Sequence, residues 1–302
     1  MLSGTSLPEL IISCGAAIVG NNDISMSNVV GSNIANLFLI ISLCAVIKPL
    51  HIKKQTRFID QPVVVACTLI LFFFVNNDGK ILINEGIILL SLTFLYILYT
   101  ILITIFGKNV NTYQSENEEE IKKERNLFKK SKIVRVIKRE KTKLEENHIV
   151  LYSVLIIVLG TLLLKFGGDF TVNGASNIAL ALGLSQKLIG LTIVAVGTSL
   201  PELITCLQAT KKGETDLAIG NIVGSQIFNI ILILGASSTI MPLQNVGGFL
   251  DDILIIIIGN LIYLIAPFTN ERHRIGRLMG ITFVVFYFAY ISIQVLENIN
   301  QI

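Results

Sequence analysis

Apolar residues run in nine stretches, at about 5–19, 27–47, 62–75, 84–106, 149–166 (continuing to about 180), 186–210, 217–241, 252–268 and 279–296. Short polar connections separate most of them. A bilayer core about 30 Å thick takes about 20 helical residues to cross, so each stretch reads as a membrane helix. The third is short and is predicted to begin before Gln61 or to sit tilted. Residues 107–148 break the pattern, with twelve basic and eight acidic side chains and no sustained apolar run. That segment reads as a solvated linker or exposed helix, or as a basic arm on anionic lipid headgroups. The pattern as a whole predicts an all-α polytopic membrane protein.

The pattern also repeats. Residues 4–11 spell GTSLPELI, and so do residues 197–204. Held at that offset, residues 4–50 and 197–243 share 22 of 47 positions without a gap. Among these are Asp23/Asp216, Asn28/Asn221, Gly31-Ser32/Gly224-Ser225, Asn36/Asn229 and Pro49-Leu50/Pro242-Leu243. The predicted organisation is a first repeat at 1–106, a charged loop at 107–148 and a second repeat at 149–302. The second copy holds five helices; five is odd, so the copies insert with opposite topology. Residue 149 corresponds to a position about 44 residues before Met1. The first copy is therefore expected to lack its first helix and the leading half of its second, as a truncated or mis-started chain does.

Charge sets the expected orientation. Twenty-one of the 24 Lys and Arg lie on one side: Lys48, Lys53, Lys54 and Arg57, the twelve in 107–148, Lys211, Lys212, Arg272, Arg274 and Arg277. Lys80 and Lys187 lie on the other. The rich side is predicted to be cytoplasmic, with the C-terminus outside the cell membrane. Lys165 and Asp169, four apart in one helix, are expected to pair or to snorkel. With 52% hydrophobic residues the chain is no soluble domain. Cys14, Cys44, Cys67 and Cys206 show no CxxC spacing and read as free buried thiols.

Chemistry concentrates in the repeated motifs. Pro8 and Pro201 each remove a backbone donor inside an apolar helix and displace the carbonyl four residues earlier, at Gly4 and Gly197. An unwound turn at membrane depth is tolerable only where it lines a cavity or binds an ion. Thr5 and Glu9, like Thr198 and Glu202, are four apart, with Ser6 and Ser199 beside them. In the second half-motif, GSxIxN, Ser32 and Asn36 are four apart, as are Ser225 and Asn229. Facing copies would converge two carboxylates, two amides, hydroxyls and carbonyls, all hard oxygen donors suited to Na+ and Ca2+. Set against this, a lone membrane Glu can be a paired structural carboxylate, and Ser or Asn can serve helix–helix hydrogen bonding. An uncompensated acid at the bilayer centre costs about 2.5–3.5 kcal/mol, and two in identical contexts point to ion binding. Gly31 and Gly224 are expected as close-packing positions, and Asp23 and Asp216 as N-caps, with an ion path as the alternative.

GTSLPEL followed by GSxIxN, twice and inverted, resembles the cation/Ca2+ exchanger superfamily, in particular its Na+/Ca2+ exchanger branch of prokaryotic calcium/sodium antiporters. The resemblance implies an inverted-repeat exchanger fold with discontinuous helices, ten in the family and about nine here. The family's acidic ligands fall on Glu9 and Glu202. Its hydroxyl and main-chain ligands fall on Thr5, Ser6, Thr198, Ser199, Ser32 and Ser225, and on the main chain near Leu2 and Ala195. Asn36 and Asn229 join the candidate set by position. The Thr-Ser pair before each Glu, where the proton-coupled branch has Asn, implies sodium coupling. Asn229, where relatives often have Asp, argues against K+ co-transport. The implied partners are Na+, Ca2+ and the bilayer, with a monomeric chain, no cofactor and no nucleic acid. Ca2+/H+ or other cation antiport and a non-transporting fragment are the rival readings. No GxSxG, HExxH or membrane Ser-His pair supports a hydrolase.

Overall fold

The computed structural model describes residues 4–106, 183–268 and 274–300, with isolated residues between 155 and 181. The predicted span at 149–180 lies outside them, with Lys165 and Asp169. Residues 1–93 with 164–302 form one compact unit and residues 94–163 a second. The candidate site belongs wholly to the first.

The helices are α1 (Leu7–Ile18), α2 (Asn22–Ile47), α3 (Thr56–Asp78), α4 (Ile83–Phe106), α5 (Gln186–Thr198), α6 (Leu200–Lys212), α7 (Thr215–Ile240), α8 (Val246–Phe268) and α9 (Arg277–Asn300). Among the described residues six are long and apolar enough to cross a membrane, or seven if α5 and α6 count as one span bent by 45°. The third helix does begin before Gln61. Its first turn, Thr56–Asp60, is wound as a π-helix, and it carries Arg57 buried against the rings of Phe58 and Phe268 at 4.8 and 5.0 Å. Ring faces let the cation lie at the start of an apolar helix.

Both copies are built with the same local devices. α1 and α6 each begin with Pro at the second helical position, where the missing donor is no loss. Just before them Ser6 (φ −85°, ψ 8°) and Ser199 (φ −84°, ψ 4°) share one non-helical conformation. Each helix ends near a left-handed glycine, Gly20 at φ +74° and Gly213 at φ +83°. α2 and α7 each change to π winding midway, at Ala35–Ile40 and Asn229–Leu234. Extended pairing recurs as well. Leu50 of β1 (Leu50–His51) pairs with Ile275 of β2 (Arg274–Ile275), and its counterpart Leu243 bridges Ile81. The two contacts involve loops at opposite ends of α3.

Two expectations are corrected. The N-cap of α2 is Asn21, whose Oδ1 accepts from Ile24 N at 3.1 Å. The left-handed turn at Gly20 sets Asn21 in the cap position, so Asp23 falls in the first turn. Asp216 likewise sits in the first turn of α7 and pairs with Lys53 at 3.0 Å. The close-packing expectation holds for Gly31 and not for Gly224. A Cβ at Gly31 would lie 2.7 Å from both Leu191 O and Ala195 Cβ. At Gly224 nothing among the described residues comes within 4 Å.

Candidate cation site

The short 3-10 turn Gly4–Ser6 and the 45° break at Ser199 bring the two GTSLPEL motifs against each other. Their hydroxyls cross over. Ser199 Oγ donates to Glu9 Oε1 at 3.4 Å, and Ser6 Oγ donates to Glu202 Oε1 at 3.2 Å. Each glutamate is held by the serine of the other copy. Both carboxylates are fully buried, and both Oε2 atoms lack a hydrogen-bond partner among the described residues.

Around this shared feature the two halves differ. Ser225 Oγ donates to Glu202 Oε1 at 3.0 Å and lies 2.9 Å from Ser6 Oγ. Its counterpart Ser32 does not reach Glu9; it lies 3.5 Å from Ala195 O and 3.3 Å from Thr198 Oγ1. Thr198 Oγ1 is 3.1 Å from both Ala195 O and Asn28 Oδ1. A hydroxyl has one proton, so it serves one of these acceptors at a time and can accept from Ser32. Thr5 Oγ1 has no partner among the described residues. Leu2 lies outside them.

Asn36 and Asn229 stand at the π-wound segments, and both are fully buried. Asn36 Oδ1 and Nδ2 have no partner among the described residues, nor has Asn229 Oδ1. A π turn inside an α-helix re-aims its side chains by a fraction of a turn and recurs at functional sites. A buried polar atom without a partner costs about 1–3 kcal/mol, so each of these calls for something to complete it. The orphaned acceptors are two carboxylate and two amide oxygens, with serine and threonine hydroxyls alongside. That set fits a hard cation, and a site of this kind needs no thiol or imidazole. Among the described residues no three His, Cys, Asp or Glu side chains gather into a metal site of the ordinary kind.

Sequence reasoning passed over two residues here. Asn28 Nδ2 donates to Ser13 Oγ at 2.8 Å and to the Glu9 carbonyl at 3.2 Å, while its Oδ1 faces Thr198. It ties the first carboxylate's backbone to the second motif, and its identity with Asn221 was the available signal. Asn33 Oδ1 accepts from Asn229 Nδ2 at 3.2 Å across the two copies. Nothing in the repeat points to Asn33, because its counterpart is Gln226.

The family description "Sodium/calcium exchanger protein" matches residues 3–104 and 152–296. The chain belongs to the sodium/calcium exchanger family. It is 30% identical over 321 residues to the sodium/calcium exchanger MaX1 of Methanosarcina acetivorans, covering 96% of this chain and 85% of that one. It is also 30% identical to the putative antiporter CaxA of Alkalimonas amylolytica, covering 95% and 83%. A solved structure of the sodium-calcium exchanger NCX_Mj, soaked with Na+ and Sr2+, superposes with a TM-score of 0.68 at 29% identity, over 97% of this chain and 84% of that one. This exchanger is thus an all-α, multi-span membrane antiporter of the sodium/calcium exchanger type.

Proposed function

We propose that this protein exchanges Na+ for Ca2+ by alternating access at one site shared by Glu9 and Glu202. The observation that carries the reading is the reciprocal arrangement. Each glutamate commits one oxygen to a serine of the other copy and keeps the second buried and unpartnered. Two ionised carboxylates are neutralised by one Ca2+ or by two or more Na+. Competition for the same oxygens makes occupancy exclusive, and exclusive occupancy makes exchange obligatory. Ser6, Ser199 and Ser225 hold the carboxylates; Thr198, Ser32, Thr5, Asn36, Asn229 and the Ala195 carbonyl complete the oxygen set. If more Na+ charge than Ca2+ charge moves per cycle, transport is electrogenic, at about 2.3 kcal/mol per net charge per 100 mV. The reading takes residues 1–106 and 149–302 as the two inverted halves, the basic loops as cytoplasmic, the C-terminus as outside and the monomer as the working unit.

The test is Na+-gradient-driven 45Ca2+ uptake into proteoliposomes. Wild-type uptake should collapse when the sodium gradient is removed, and E9Q and E202Q should each abolish it. Near-native exchange in either variant sinks the two-glutamate assignment. Uptake driven by a pH gradient without sodium replaces Na+ with protons as the coupling ion.

A further inference from the structure

We propose that Arg57 anchors one anionic phospholipid, its guanidinium taking the lipid phosphate at the membrane face that carries the basic loops. The starting observation is a buried charge without a counter-charge. Arg57 stands in the first turn of α3 and is 5% exposed. Its Nε and Nη1 are enclosed and have no hydrogen-bond partner, and among the described residues no carboxylate pairs with it. Asp60, one turn further on, is engaged by the Thr56 hydroxyl instead. The rings of Phe58 and Phe268 lie against the guanidinium at 4.8 and 5.0 Å. Ring faces attract a cation, yet they leave its fixed fork of N–H donors without an oxygen acceptor. A buried charge in that condition is costly unless an anion joins it. Nη2 is the nitrogen of the group left open. Because the charge is spread over the whole guanidinium, an anion at Nη2 compensates all of it.

The surroundings select a lipid phosphate over a free one. Phe58 and Phe268 meet edge to face at 5.6 Å and are themselves 58% and 52% exposed, with Ile265 beside them at 57%. On a membrane protein such an exposed apolar strip faces acyl chains. An apolar wall therefore runs straight up to the unpaired charge, in the order in which a phospholipid runs from tail to phosphate. Lys54, a turn before Arg57, and Arg274, on the strand paired with His51, are exposed on the same side. A headgroup with its own ammonium would bring a cation into this basic cluster, so a phosphatidylglycerol-type lipid fits better than phosphatidylcholine. The bias of Lys and Arg toward one face accounts for the exposed lysines and not for a buried, unpaired arginine. The repeat maps Arg57 onto Leu250 and Lys54 onto Gly247, so the opposite face holds no counterpart.

The test is native mass spectrometry of the purified full chain in detergent, titrated with phosphatidylglycerol or phosphatidylcholine and read as occupancy by the first bound lipid. Wild type should bind phosphatidylglycerol on the order of tenfold more tightly, the size expected of one charge-assisted hydrogen bond. R57Q should erase that preference. K212Q, which removes an exposed lysine on the same face, should keep it. Where R57Q does not elute as a monodisperse protein, R57K serves: it keeps the charge, loses the planar fork and should cut the preference roughly threefold. Inorganic phosphate at the lipid's own concentration should leave phosphatidylglycerol bound. Displacement by it would assign the site to free phosphate and overturn the proposal. A wild type that does not discriminate between the two lipids overturns it as well. So does an undiminished preference in R57Q or R57K, or a loss in K212Q equal to that in R57Q.

Discussion

Replacing Lys187 with Met should destabilise the protein far more than an isolated lysine near a helix start suggests. Lys187 Nζ lies 2.9 Å from Asp252 Oδ2, donates to the Gly248 carbonyl at 2.6 Å and rests over the Phe249 ring at 4.9 Å. Asp252 is 1% exposed and accepts from Tyr290 Oη at 2.8 Å and Gln294 Nε2 at 3.2 Å. Removing one partner of a buried ion pair leaves an uncompensated charge, at about 3–5 kcal/mol. Lys187 keeps 31% of its side-chain surface in solvent, so the lower end applies, about 3 kcal/mol. At about 2–4 °C per kcal/mol for a domain of this size, K187M should lower the melting temperature by about 6–12 °C. The chain has no Trp, so thermal unfolding is best followed with a thiol-reactive dye. Cys44, Cys67 and Cys206 are buried and become reactive only on unfolding, over a constant background from half-buried Cys14. K187M/D252N removes the stranded charge and should recover most of the loss. A double variant no more stable than K187M, or a K187M loss below about 1 kcal/mol, would refute the argument, since that is the range of an exposed pair.

Further outcomes follow from differences between the halves. G31A should impair folding and Ca2+ binding together, because its Cβ would meet Leu191 O at 2.7 Å, whereas G224A should be neutral or stabilise by up to about 1 kcal/mol through helix propensity; melting curves of the two decide, and equal effects would contradict the packing. N28L strands Ser13 Oγ, takes the side-chain donor from the Glu9 carbonyl and turns the Thr198 hydroxyl to Ala195 O, and should weaken 45Ca2+ binding roughly tenfold, in line with about 1–3 kcal/mol for the one stranded group. N221L should do much less, since Asn221 Nδ2 makes a weak contact with Cys206 Sγ at 4.0 Å; equal losses would count against Asn28 as the anchor.

The helices were legible in the sequence because membrane depth forces long apolar runs, and α2, α4, α7 and α9 fall within a few residues of their expected bounds. The glutamates were legible because an acid at that depth is costly, and a repeat marks it twice. What the sequence withheld is partner choice. Equal letters at Ser32 and Ser225 predict equal roles, yet Ser225 reaches its glutamate and Ser32 turns to Thr198. A parallel divergence lies inside each copy, where Asn28 donates to Ser13 Oγ in the first and Asn221 meets Cys206 Sγ in the second. Lys187 looked like a stray loop charge because its acid lies 65 positions away, on α8. Asp23 was misassigned by a single turn, since both Asn21 and Asp23 can cap a helix and only the path of Gly20 decides between them.

The crossed serines bear on how the protein is made. Translation proceeds from Glu9 to Ser199 with nearly two hundred residues between them. During that interval the first glutamate is in the membrane without its partner from the second copy, and the insertion machinery meets it half-dressed. Its own copy offers Asn28 to brace the main chain at Glu9, so the early half is steadied before the late half arrives. In the late half Ser225 of the same copy holds the Glu202 carboxylate, and Ser6 is already in place when Glu202 is synthesised. The early acid thus waits for Ser199 to hold its carboxylate, whereas the late acid finds both of its serines as soon as its own copy is complete.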